Sequence, residues 1–260
     1  MNPVYYFQHI LNRNIFMKYK FLILSAVLAL PLLAAPVKKH RPVIEVNFAD
    51  QVPFSTDFSS SVWKKTPAYP FMKAVSDLSD FHALPLEGGQ IRLLYDKNFL
   101  YLAAELEDSE VTTTGTKNQS AFFALGDVVE VFLKPENHNF YWEIYGTPNN
   151  LQTCYFFPSR GSLGLPSGFA DQGVEVKVVS SIDGSFNNSL DRDNGWKTLI
   201  KIPLASLRKN NLKFVPGEKW TIFVARYNYS RYLPSCELSG VPQKFGDFHV
   251  LSDYARLVIK

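Results

Sequence analysis

The sequence predicts an all-β fold, a single antiparallel β-sandwich, and three observations predict it. Apolar and β-branched residues gather in many short runs. Gly, Pro, Asn and Asp interrupt those runs at regular intervals. No segment longer than about ten residues carries apolar side chains at helical spacing, and Ala68–Leu78 is the one short helix the pattern suggests. Short strands punctuated in this way build sandwiches and barrels. With no internal repeat and no low-complexity linker, one domain is the simplest division.

The elements follow in order. Ile91–Tyr95 runs into Asp96-Lys97-Asn98 and out through Phe99–Leu106, two β-rich segments around a polar turn, which reads as a hairpin. Val128–Leu133 is the next strand and ends at Pro135-Glu136-Asn137. Phe140–Tyr145 follows at hairpin distance, and Cys154–Phe157 is a further strand stopped by Pro158. Val174–Val179 alternates apolar and polar with period two, so one face is buried and one wet. A turn over Asp191–Gly195 leads to Trp196–Pro203, which pairs back. After a short turn at Leu204–Leu207, Pro216-Gly217 opens Trp220–Tyr227, and Ala255–Ile259 is the last strand.

The N-terminal region reads as an export signal, with a retained membrane anchor as the alternative. Met17-Lys18-Tyr19-Lys20 is followed by an apolar run from Phe21 to Leu30 and by Pro31–Pro36, the basic, apolar and small-residue layout of a signal peptide over residues 17–34. The run is shorter than the roughly 20 residues of a spanning helix, so secretion or a periplasmic location is expected, without membrane insertion after cleavage. Residues 1–16 read as a start-site artefact, and 35–42 as a short linker. The remaining 43–260 form the folded domain.

Composition narrows the function. The net charge is +3, with 46% hydrophobic and 15% aromatic residues. No basic stripe marks a nucleic-acid surface. Two cysteines, Cys154 and Cys236, permit one disulfide in an exported chain, with two free thiols as the alternative. His40, His82 and His138 show no metal spacing, and the Asp191–Gly195 stretch lacks the terminal glutamate of a calcium loop.

Five segments then form a familiar set: Trp63; Leu94–Tyr101; Gly126–Leu133; Asn194-Gly195-Trp196 leading to Ile202-Pro203; and Phe248-His249 before the last strand. Together, over about residues 43–260, they resemble the family 9 carbohydrate-binding module and its wider DOMON-like relatives. The resemblance implies an immunoglobulin-like or jelly-roll-like sandwich without catalytic activity. It also implies a sugar ring clamped by two aromatic residues, with a glutamate, an arginine and amides on its hydroxyls. Glu130, which ends Asp127-x-x-Glu130, matches the hydroxyl-binding glutamate. Phe123, with a one-residue shift, and Phe248 stand where the family has its two tryptophans. Relatives often hold structural calcium; no ligands are assigned here, and no other cofactor is expected.

Sugars present apolar C–H faces and a rim of hydroxyls, so their sites combine flat rings with charged or amide side chains. On these grounds the candidate ligand-binding residues are Glu130, Arg226, Phe123, Trp142, Phe248 and His249, with Tyr145, Tyr227, Tyr229 and Tyr232 as further aromatics. Alternatives stay open at each. Glu130 and Arg226 either meet a ligand or pair structurally. Trp142 faces the core unless its neighbours Tyr141 and Glu143 do. Phe123 and Phe248 suit packing as well as contact. His249 also suits a structural role. Three other functions compete with sugar binding: a scaffold using its sheet face for protein contact, a glycosidase drawing on Glu105, Asp127, Glu130 or Glu143, and a haem-binding domain, for which Met72 alone remains as a methionine ligand after signal removal.

Overall fold

Strand formation follows the short apolar runs almost throughout. The computed structural model describes residues 41–76, 78–161, 173–207 and 211–260, so the predicted signal peptide and residues 1–16 lie outside the described residues. The strands are, in chain order, β1 (Val43–Phe48), β2 (Tyr69–Pro70), β3 (Met72–Lys73), β4 (Gly89–Tyr95), β5 (Phe99–Glu107), β6 (Val128–Pro135), β7 (Tyr141–Gly146), β8 (Gln152–Phe157), β9 (Lys177–Asp183), β10 (Gly195–Pro203), β11 (Trp220–Asn228), β12 (Glu237–Val241) and β13 (Ala255–Ile259). Two single-turn helices, α1 (Ser61–Lys64) and α2 (Leu204–Leu207), accompany them.

The expected helix over Ala68–Leu78 does not form. Pro70 has no N–H to give and drives Tyr69 into extended backbone, so the segment becomes β2 and β3. The strand expected at Val174–Val179 lies instead at Lys177–Asp183. Its polar residues earn their place through specific bonds: the Ser180 N–H donates to Asn150 Oδ1 at 2.7 Å and its hydroxyl to the Thr147 carbonyl at 2.8 Å. Val174 and Val176 are buried all the same. Their alternation recorded burial rather than strand.

Ten strands lie on one hydrogen-bonded path, β8-β7-β6-β11-β13-β1-β4-β5-β10-β9, with β2, β3 and β12 attached beside it. β1 joins two halves of this path. Its first residues, Val43–Val46, pair with β13, and Asn47 and Phe48 pair with β4. Both pairings are parallel, which corrects the purely antiparallel expectation; every other pairing between these strands is antiparallel. One core lies between the halves: Leu93, Leu102 and Ile200 from one meet Val129, Val131, Ile144 and Val224 from the other. Side chains of the opposite parity in β6, β7 and β11 therefore face outward, which sets up the site.

Candidate functional site

Strand alternation decides which candidate residues meet. In β6, Val129, Val131 and Leu133 enter the central core, so Glu130 and Phe132 project from the other face. In β7 the same rule sends Trp142 and Ile144 inward and Tyr141, Glu143 and Tyr145 outward. In β11, Phe223, Ala225 and Tyr227 share the outward face. Register places Glu130 opposite Tyr145 and Phe132 opposite Glu143, so the two glutamates are diagonal neighbours on adjacent strands.

Two loops close over this face. The turn Phe122–Ala124 precedes β6, and the Tyr229 hydroxyl donates to the Phe123 carbonyl at 2.5 Å. Gly126 adopts φ +142°, where a Cβ would strike the backbone at Thr112 and Thr113. This lets the Asp127 carboxylate accept the N–H groups of Thr112 at 2.6 Å and Tyr229 at 2.7 Å, fixing the entry to β6. The second loop is 245–249, where Asp247 Oδ1 accepts the His249 N–H at 2.8 Å and Phe248 packs on Phe223 and Tyr227.

Between them lies a cavity of about 320 Å³, lined by Phe123, Glu130, Phe132, Glu143, Tyr227, Leu238, Phe248 and His249 and by Gly246 and Asp247 at its rim. Its volume sits at the low end of the roughly 300–1,000 Å³ of small-molecule sites. Glu130 is 2% and Glu143 5% exposed, whereas Phe123 is 39% exposed. Glu130 Oε1 and Glu143 Oε2 are buried without a hydrogen-bond partner. Tyr145 donates its hydroxyl to Glu143 Oε1. His249 Nδ1 is hydrogen-bonded to the Tyr141 hydroxyl at 2.6 Å, and its Nε2 stands 3.9 Å from Glu143 Oε2.

Burial governs the electrostatics. It pushes Glu130 well above the usual carboxylate range, and the neighbouring Glu143 adds to the effect. Glu143 itself is raised by burial to about 7. His249 is held below its ordinary value by burial, which keeps the ring neutral near pH 7. Unmet carboxylate oxygens of this kind are costly, and hydroxyl or ammonium donors would satisfy them.

Four of the six candidates, Glu130, Phe123, Phe248 and His249, thus line one cavity. Two do not. Trp142 belongs to the central core, stacked on Trp220 with ring centroids 6.4 Å apart. Arg226 is paired with Val129, not Glu130, and points to the opposite face. There its fully buried guanidinium donates to the carbonyls of Glu87 (3.0 Å), Gly88 (2.9 Å) and Glu107 (2.7 Å) and to Asp108 Oδ2 (3.1 Å). Glu130 and Arg226 therefore neither share a ligand site nor pair with each other; the acid that shares the cavity with Glu130 is Glu143. Among the further aromatics, Tyr227 is at the cavity, and Tyr232 stacks under Arg192 and Arg231 elsewhere. Glu143 was legible as the residue next to Trp142, which strand alternation turns to the opposite face once that tryptophan is assigned to the core.

Larger cavities exist, but among the described residues none of them is lined by a carboxylate with a buried, unpartnered oxygen. One of about 480 Å³ runs over Gln90, Glu105 and Lys197, where Glu105 already accepts from Arg92 and Gln90 and pairs with Lys197 at 3.5 Å. Of the two states the sequence permits for the cysteines, the structure has the free thiols: Cys154 and Cys236 form no disulfide. Cys154 lies on β8 and Cys236 just before β12, with β7, β6 and β11 between. At about 4.8 Å per strand this far exceeds the roughly 4.4–6.8 Å a disulfide spans. Among the described residues no group of three or more His, Cys, Asp or Glu side chains is placed to hold a metal ion.

No known family profile matches the chain, and no curated protein sequence matches it either. Solved structures do. A provisionally designated carbohydrate-binding protein from Bacteroides uniformis superposes with a TM-score of 0.62 at 12% identity, covering 85% of this chain and 100% of the other. A family 9 carbohydrate-binding module from Caldicellulosiruptor kristjanssonii in complex with cellotriose gives 0.55 at 14% identity, over 84% and 93%. Its complex with glucose gives 0.54 at 14% identity, over 84% and 95%. Nearly all β and built on this shared strand arrangement, the chain has a family 9 carbohydrate-binding module fold.

Proposed function

We propose that this chain is an exported, non-catalytic carbohydrate-binding domain of sandwich architecture. Its site is the cavity between Phe123 and Phe248, with Glu130 and Glu143 as its floor. One observation carries the reading: Glu130 and Glu143, each with a buried carboxylate oxygen that lacks a partner, line one aromatic-walled cavity. A sugar hydroxyl donates to such oxygens, and its C–H face lies against a ring such as the half-exposed Phe123. The fold neighbours bound to cellotriose and glucose support the ligand class. The Met17–Ala34 segment supports export.

Isothermal titration with glucose, cellotriose and a panel of other mono- and oligosaccharides tests it. Binding weakened about tenfold or more by Phe123→Ala, a loss of roughly 1.4 kcal/mol, is the expected result. The substitution removes a side chain already facing solvent, so the fold persists. Absence of heat with every sugar would instead make the domain a protein-contact scaffold.

A further inference from the structure

Charge at the cavity is one-sided. Glu130 and Glu143 form its floor and Asp247 its rim, while among the described residues no lysine or arginine lines it. The nearby cations are already paired, one of them with the rim aspartate itself, which leaves Glu130 and Glu143 as the uncompensated acids. Arg160 pairs with Asp247 at 3.3 Å on the exposed side, and the buried Lys244 ammonium lies 3.6 Å from Asp253 and over the rings of Phe223 and Tyr254. From β7, Tyr141 and Tyr145 contribute only hydroxyls held protonated by burial, and Tyr227 from β11 does the same. His249 adds a neutral ring.

The walls are aromatic: Phe123, Phe132, Tyr227 and Phe248 present their rings around the two carboxylates. Rings surrounding uncompensated acid groups suit an organic cation, which is attracted by ring faces and carboxylates alike. A neutral sugar would meet the two unpartnered oxygens with hydroxyls. A sugar bearing an ammonium would meet them with up to three donors and a full charge.

Resting on the proposed sugar site, we propose that the cavity prefers an amino sugar with a free ammonium group over its neutral and N-acetylated counterparts, the ammonium lodging between Glu130 and Glu143. Both floor carboxyls titrate above their ordinary range, so an arriving cation drives one of them to ionise and sends its proton to the buffer. A neutral sugar releases none.

The test is calorimetric titration near pH 7 with glucosamine, glucose and N-acetylglucosamine, each in two buffers of different ionisation enthalpy. Glucosamine is expected to bind at least about tenfold tighter than either competitor and to release a proton. Glu143→Gln and Glu130→Gln, which keep side-chain size, should shrink that preference to threefold or less. Glucose or N-acetylglucosamine binding as well as glucosamine would overturn the inference and leave the sugar site standing. A preference untouched in both folded glutamine variants would also overturn it, because the ammonium would then sit elsewhere. No binding by any of the three would overturn the inference, and silence of cellotriose and the wider panel as well would overturn the sugar site itself.

Discussion

Glu130 and Glu143 carry the strongest consequence at the scale of single residues. Glu143 titrates at about 7 in the folded protein against an ordinary 4.5. Between those values the folded chain holds a proton that the unfolded chain has released. The stabilisation is therefore complete below about 4.5 and is lost as pH rises through 7. The shift corresponds to about 3 kcal/mol, and Glu130 acts in the same direction. Urea unfolding of the ligand-free protein from pH 5 to 8 should thus show falling stability, and Glu143→Gln should flatten the fall and be the more stable form at pH 8. Equal slopes for the variant and the wild type would contradict this account of the pair. Glu130 could be picked from sequence because a carboxylate stood out within Val128–Leu133. Its partnership with Glu143 could not, since it depends on the β6–β7 register, which places Glu130 opposite Tyr145.

At the scale of elements, β11 serves two purposes through its two faces. Its outward residues Phe223 and Tyr227 back the cavity, while Arg226 reaches from one half of the strand path to the other, binding the start of β4 and the end of β5. The guanidinium fork meets four acceptors, and Asp108 depends on it for charge compensation. Breaking a buried pair on one side costs about 3–5 kcal/mol. Arg226→Ala should lower unfolding free energy by that order. Arg226→Lys should recover only part of it, because an ammonium cannot span the fork, and the folded fraction of either variant should keep wild-type ligand affinity. A large affinity loss in a fully folded Arg226→Lys protein would return this residue to the ligand site. Sequence placed Arg226 correctly at the end of a strand. Whether it faced the same way as Glu130 turned on a one-residue parity that only the pairing of Ala225 with Glu130 resolves.

For the whole molecule, the legible part of the fold was the set of strands whose runs are continuously apolar, such as β5, β6 and β11. β1, β3 and β12 escaped notice because their sequences are short or mix in polar residues and glycine, and because β1 and β3 pair with strands far along the chain, β13 and β12. β1 matters most among these: by pairing with β13 and then with β4 it joins the two halves around their common core. The cavity is a product of that long-range assembly, since its walls come from residues 123, 130, 132, 143, 227, 238 and 246–249. Phe123 and Phe248 could be named in advance only through their likeness to a family pattern. Amide chemical-shift mapping during titration with glucosamine and with cellotriose tests the assembly most directly. The account predicts perturbations concentrated at Phe123, Glu130, Glu143, Tyr227 and residues 246–249. Perturbations centred instead on Gln90, Glu105 and Lys197, or none at saturating sugar, would contradict it.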